Sequence, residues 1–143
     1  MAKIIFTDRE LKRGWRDLYK ASEQLPRNNA HRLLLLYSIE CGLKAVWLRN
    51  KQRTVFDDDD IAVTGHNLRE IIKQLGFGAE ISLPDFELKP VRKIKDKPEP
   101  RRGGISDLHQ AWRYGGMLIN TPDDVAMEEK LEVIQKLIKK ELH

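Results

Sequence analysis

Apolar and polar positions fall into helical register over most of this chain. Leu11, Trp15, Leu18, Ser22 and Leu25 recur at spacings of three and four, which predicts an amphipathic first helix. Thr7 or Asp8 can cap its start. Pro26 breaks the pattern but is tolerated in the first turn of a second helix, predicted to run to about Gln52. Inside it, residues 32 to 48 are apolar on most of the circumference, so this helix should be the buried centre of the molecule. Leu68, Ile71, Ile72 and Leu75 mark a short third helix, with Asn67 and Glu70 as a capping box and Gly76 as the stop. Ser106 can cap a fourth helix carrying Leu108, Ala111 and Trp112, ended by Gly115 and Gly116. Thr121-Pro122-Asp123-Asp124 is a strong helix start for the last element. Leu131, Ile134, Ile138 and Leu142 form its inner face, and Lys139 and Lys140 suit its C-terminal dipole.

Between Gly76 and Gly104 no long helical period appears, and Pro84, Pro90, Pro98 and Pro100 all fall there. The pattern predicts a long loop with a brief extended piece around Ile81 to Phe86 and no strand pairs. The run Asp57 to Asp60 lacks the alternating ligands, glycine and distal glutamate of a calcium loop, so a solvated loop is expected. The fold class expected is all-α, a single domain over residues 1–143. It is a bundle of about five helices with a long proline-rich basic loop between helices 3 and 4. A chain of 143 residues can bury one good core. No apolar run is long enough to span a membrane. The N-terminus reaches Asp8 and Arg9 before a leader's apolar region could form, and the single Cys41 cannot form an internal disulfide. A cytoplasmic location is expected. Cys41 is expected to be a small core residue, since nothing nearby would lower its pKa.

The formal charge is +4, and its distribution changes the picture. Lys89, Arg92, Lys93, Lys95, Lys97, Arg101 and Arg102 face only Asp96 and Glu99 in one short segment, so the excess is local. Such a segment suits an anionic partner such as nucleic acid, and a merely solvated loop would also tolerate it.

Candidate chemistry concentrates at a few positions. Glu40 on the apolar helix needs a partner because unpaired burial is costly. Lys44 is one turn away, and Arg113 is the partner expected across the bundle. Downstream lies Gly65-His66-Asn67-Leu68, with His66 expected to make a structural contact at the turn. His109 and Arg113 are four apart and share a helix face, while Leu108 and Trp112 point inward. Trp112 and Tyr114 suit ordinary core packing or base stacking. Arg27 and His31 read as a solvated basic edge. No phosphate loop, serine triad or metal-ligand set is present, so neither a metal nor a cofactor is expected.

The combination of Glu40-x-x-x-Lys44 in a long apolar helix, the Gly65-His66-Asn67-Leu68 turn and Ala111-Trp112-Arg113-Tyr114-Gly115 resembles the HEPN superfamily. The likeness is architectural over roughly residues 8 to 140 and close in sequence only at these short stretches. It implies a homodimer, with Val46 and Leu48 as possible contacts, working in an RNA-directed stress, toxin–antitoxin or phage-defence system. Three functions follow from it. As a binding module the chain would hold RNA, nucleotide or a partner protein through Arg113, Tyr114, Lys93, Lys95 and Arg101, beside a nucleotidyltransferase or antitoxin. As a metal-independent endoribonuclease it would use Arg102, separated from His109 by six residues, to stabilise phosphate charge. His109 would move the proton, since histidine titrates near neutrality. As an adaptor it would be a purely structural dimer. Glu40, Lys44 and His66 would form a structural polar network in each case.

Overall fold

In the computed structural model of the chain, residues 4–65, 67–78, 81–94 and 97–142 are described. His66 and Lys95 fall outside them, and of Lys93 only the strand position is described. The described residues form six helices, α1 (Asp8–Ser22), α2 (Asn29–Lys51), α3 (Asp58–Thr64), α4 (Leu68–Gln74), α5 (Leu108–Arg113) and α6 (Asp124–Leu142). A 3₁₀ turn, Ile105–Asp107, leads into α5. Five strands accompany them, β1 (Phe6–Thr7), β2 (Val55–Phe56), β3 (Phe86–Ile94), β4 (Lys97–Gly103) and β5 (Leu118–Ile119). The all-α expectation is therefore overturned: the chain is mixed, with two antiparallel sheets ordered β1-β2 and β4-β3-β5.

The helices form for the reasons their periodicity gives. Thr7 caps α1 through a reciprocal box with Glu10, and Asn28 caps α2 through the same device, with His31 Nδ1 accepting from the Asn28 amide at 3.2 Å. His31 is thus a cap residue and not a solvated edge. Pro26 lies before the cap, and Leu25 is 77% exposed, so the α1 stripe ends at Ser22. α2 is the central element, with α1, α4, α5 and α6 all packed on it. Its Leu35, Ile39, Leu43, Val46 and Leu48 are completely buried, as are Leu131, Ile134 and Ile138 of α6. Val46 and Leu48 are core residues and offer no dimer contact. A methyl group on Gly42 would lie 2.7 Å from Trp15 of α1 and 2.8 Å from Ile138 of α6. Both helices press on α2 at this point because the glycine leaves room.

The acidic run is not a solvated loop. Asp57 caps α3, and Asp60 is buried, accepting Trp47 Nε1 at 2.9 Å and pairing with Arg53. Burial alone would raise the Asp60 pKa. The bonds from Trp47, the Asp57 backbone and Arg53 outweigh it and hold the carboxyl below the ordinary aspartate value.

Arg27 is also far from solvated. Its side chain is 7% exposed and pairs with Glu132 at 2.7 Å and with Glu128, which also takes Arg32 Nε at 2.8 Å. Asp124 lies 3.8 Å from Arg32 and accepts Trp112 Nε1 at 2.8 Å. The start of α6 is capped by Asp123, whose side chain takes the Ala126 amide at 2.9 Å, and Pro122 precedes this cap in place of occupying the first turn.

The proline-rich basic segment is a β-hairpin. Phe86 and Leu118 are buried at its root, where β5 pairs with Glu87 and Leu88. Beyond Leu88 the described side chains of both strands are exposed, which removes the period-2 alternation that announces a half-buried strand. The prolines fit because of where they stand. Pro90 lies in the register shift between Leu88 and Val91, and Pro98 and Pro100 occupy β4, an edge strand. Being two apart, these last two turn the same way, and the outward side of an edge strand needs no donor.

Candidate nucleic-acid interface

The hairpin puts the local charge excess into solvent. Lys89, Arg92, Lys97, Arg101 and Arg102 are all exposed on it. Alternation along β4 sends Arg102 to one face of the ribbon and Arg101 and Lys97 to the other, so positive charge wraps around both sides. Arg101 Nε donates to the Lys89 carbonyl at 2.9 Å, which fixes its stem across the ribbon. Arg102 stands opposite Glu87, with their charged atoms 3.4 Å apart, and Asn120 holds the same carboxylate at 3.0 Å. A shallow cleft of about 290 Å³ at the root of the hairpin is lined by Arg101, Arg102, Asp107 and Gln110.

α5 stands between this cleft and a second one of about 380 Å³, lined by Tyr37, Glu40, Asn67, Ser106 and His109 over a floor of Leu36, Leu68 and Ile105. Ser106, read from sequence as a helix cap, lies in the 3₁₀ turn, and Asp107 takes the Gly104 amide. Tyr37 and Glu40 come from α2, Asn67 from the cap of α4 and His109 from α5. Glu40 pairs with Lys44 at 3.5 Å. Lys44 Nζ also lies 5.3 Å from the centre of the Phe56 ring. Arg113 donates to the Tyr37 hydroxyl at 2.7 Å, one turn before Glu40. The bonds to Tyr37 and Tyr114 favour its charged form.

The structure thus brings together some of the residues singled out from sequence and separates others. Glu40, His109 and, through Tyr37, Arg113 belong to one neighbourhood. Arg102 and His109 line different clefts on either side of α5, so their proximity in sequence does not place them in one site. Trp112 is core, 1% exposed, whereas Tyr114 is 76% exposed and is not a packing residue. Cys41 is half-buried, and burial raises its thiol pKa, the reverse of an activated nucleophile. Tyr37 and Asn67 were missed as cleft residues. Their signal was available, since Tyr37 precedes Glu40 by one turn and Asn67 opens α4. Among the described residues no group of three or more His, Cys, Asp or Glu side chains comes together as a metal site. No helix is long and apolar enough to cross a membrane, among the same residues.

No model of a known protein family, no curated protein and no solved structure matches this chain.

Proposed function

We propose that this chain is an RNA-binding module whose basic hairpin tracks a phosphate backbone. The observation that carries the reading is the placement of the local charge excess on both faces of an exposed two-stranded ribbon. A ribbon of this kind contacts phosphates without needing to read bases. Single-stranded RNA is favoured because Tyr114 is exposed beside Arg113, and an exposed ring next to a cation is a stacking platform for an unpaired base. The dimeric, defence-associated setting implied by the Glu40 and Lys44 resemblance belongs to the same proposal and rests on that resemblance alone.

The test is anisotropy of a labelled single-stranded RNA titrated with protein across a salt series. The affinity of the unaltered chain should fall steeply with salt, by about 0.7 in log–log slope for each phosphate neutralised. Arg92→Glu, Lys97→Glu and Arg101→Glu together should lower affinity at least about tenfold, or about 1.4 kcal/mol, and flatten that slope. Tyr114→Ala should cost about 1–3 kcal/mol with the slope unchanged, because stacking releases no counterions. Affinity that ignores salt and the triple reversal would sink the reading, and so would a preference for duplex DNA.

Cleavage is a second reading with an observation of its own. His109 lines the same cleft as Glu40, and Arg113 reaches that cleft through Tyr37. In this form His109 would transfer the proton and Arg113, in place of Arg102, would meet the phosphate. RNA incubated with the protein in EDTA should then be cut, with the products lost on His109→Ala and on Arg113→Ala but kept on Arg102→Ala. Intact RNA would leave only the binding reading.

A further inference from the structure

A groove of about 690 Å³ runs between α1 and α6, remote in sequence from the hairpin. Both helices rest on α2 and run antiparallel, as the cross-links show: Trp15 Nε1 donates to Gln135 and Tyr19 Oη to Glu132, each at 2.9 Å. These bonds set the spacing of the two helices, with Trp15 buried beneath the groove and Tyr19 half-buried along it. Arg16 and Lys20 are one turn apart on one rim, and Lys136 and Lys139 stand on the other, all four exposed. Glu132 faces the groove too, but its charge is taken up by Arg27 at 2.7 Å. Glu23 at one end is the remaining acidic group.

We infer that this groove docks an amphipathic helix of a partner protein, one with an apolar stripe flanked by acidic residues. Two features select this occupant. The accessible lining is apolar through Tyr19 and the aliphatic stems of the rim cations, over buried Trp15, and a helix stripe at i, i+3, i+4 and i+7 spacing packs on such a surface. The rims carry four cations whose aliphatic stems cover the walls while their charged ends reach acidic flanks. A phosphate backbone would use the cations but would lay hydrophilic sugar and phosphate over the apolar floor. Complementarity therefore favours the acidic helix over nucleic acid. The inference is independent of the RNA reading, since it uses different residues.

The probe is a fluorescein-labelled synthetic helix about five turns long, with a leucine stripe and glutamate flanks, titrated with the full chain. Two controls accompany it, a scramble of the same composition and the same stripe with lysine flanks. The acidic helix should bind, the controls should not, and Arg16→Glu with Lys20→Glu should weaken binding at least about tenfold. The opposite-rim pair Lys136→Glu with Lys139→Glu should do the same, so that a folding failure in one variant does not decide the outcome. The lysine-flanked helix should bind the reversed variants better than the unaltered chain. Equal binding of the scramble, indifference to both reversals, or no binding would overturn the inference. Two further results would overturn it by naming another occupant. One is RNA that displaces the helix and is itself lost on rim reversal. The other is a dimer, seen by sedimentation, that the same reversals dissociate.

Discussion

Gly42 is the residue on which the packing of α1, α2 and α6 turns. The atoms that an added methyl group would meet belong to the Trp15 ring and the Ile138 side chain, all in the closed core. Alanine gains about 1 kcal/mol in helix propensity over glycine, and overpacking a tight core costs about 1–3 kcal/mol. Three contacts under 3.0 Å place this site at the upper end of that range, so overpacking wins. Gly42→Ala should therefore lower the denaturant midpoint by an amount equivalent to roughly 1–2 kcal/mol; an unchanged or raised midpoint would show that α1 or α6 can move aside. Tyr19 makes a second prediction at this scale. Burial and the bond to Glu132 push its phenol up to about 12, from an ordinary value of 10.0. The folded state holds this proton more tightly than the unfolded chain, so the stabilisation is complete below about pH 10 and is lost as pH rises towards 12. Absorbance titration of the folded protein should show a late tyrosine step near that value, absent in Tyr19→Phe. Absence of that late step would mean that the Glu132 bond does not hold in solution.

Among the elements, α1, α4 and α6 were legible because each buries one stripe, and a buried stripe writes its 3.6-residue period into the sequence, while α2 was legible as a long segment apolar on most of its circumference. The hairpin was not legible for the same physical reason in reverse. Beyond Leu88 its described side chains are exposed on both faces, so Lys89, Pro90, Val91 and Arg92 carry no alternation, and prolines on an edge strand imitate a loop. The Asp57–Asp60 run hid a cap and a buried carboxylate, because four like residues conceal which one turns inward. The site was legible in part. Glu40, His109 and Arg113, singled out from sequence for different roles, share one neighbourhood, but pairing Arg102 with His109 assumed that nearness along the chain meant nearness in space. If the hairpin is an arm that adds binding but little stability, it should be removable. Replacing residues 89–100 by Asn-Gly, a two-residue turn that suits a tight hairpin, joins the facing pair Leu88 and Arg101. The shortened chain should unfold within about 1 kcal/mol of the full one, since surface segments contribute little, and should lose most RNA affinity. A large loss of stability would mean that the arm is part of the core structure.

At the scale of the whole molecule, α6 is tied to the start of α2 by charge as well as by apolar contact. Arg27 and Arg32 lie about a hundred residues before their partners in sequence, and no periodicity announces a pairing of that range. Side-chain exposures of 7% for Arg27, 16% for Arg32 and 11% for Glu128 put the shared carboxylate in a dry setting, where desolvation offsets much of the Coulomb attraction. The network as a whole is thus a modest source of stability, while breaking it is costly, because removing one member leaves the others buried with too few partners. Glu128 is the member that both arginines share. Glu128→Ala should cost roughly 3 kcal/mol, which for a domain of this size lowers the melting temperature by about 6–12 °C. Glu128→Gln should cost less, since its amide oxygen can still accept from Arg32 while only the charge is lost. Equal losses in the two variants would assign the effect to charge rather than to hydrogen bonding, and a loss under about 1 kcal/mol in both would mean that Arg27 and Arg32 regain water when the carboxylate is gone.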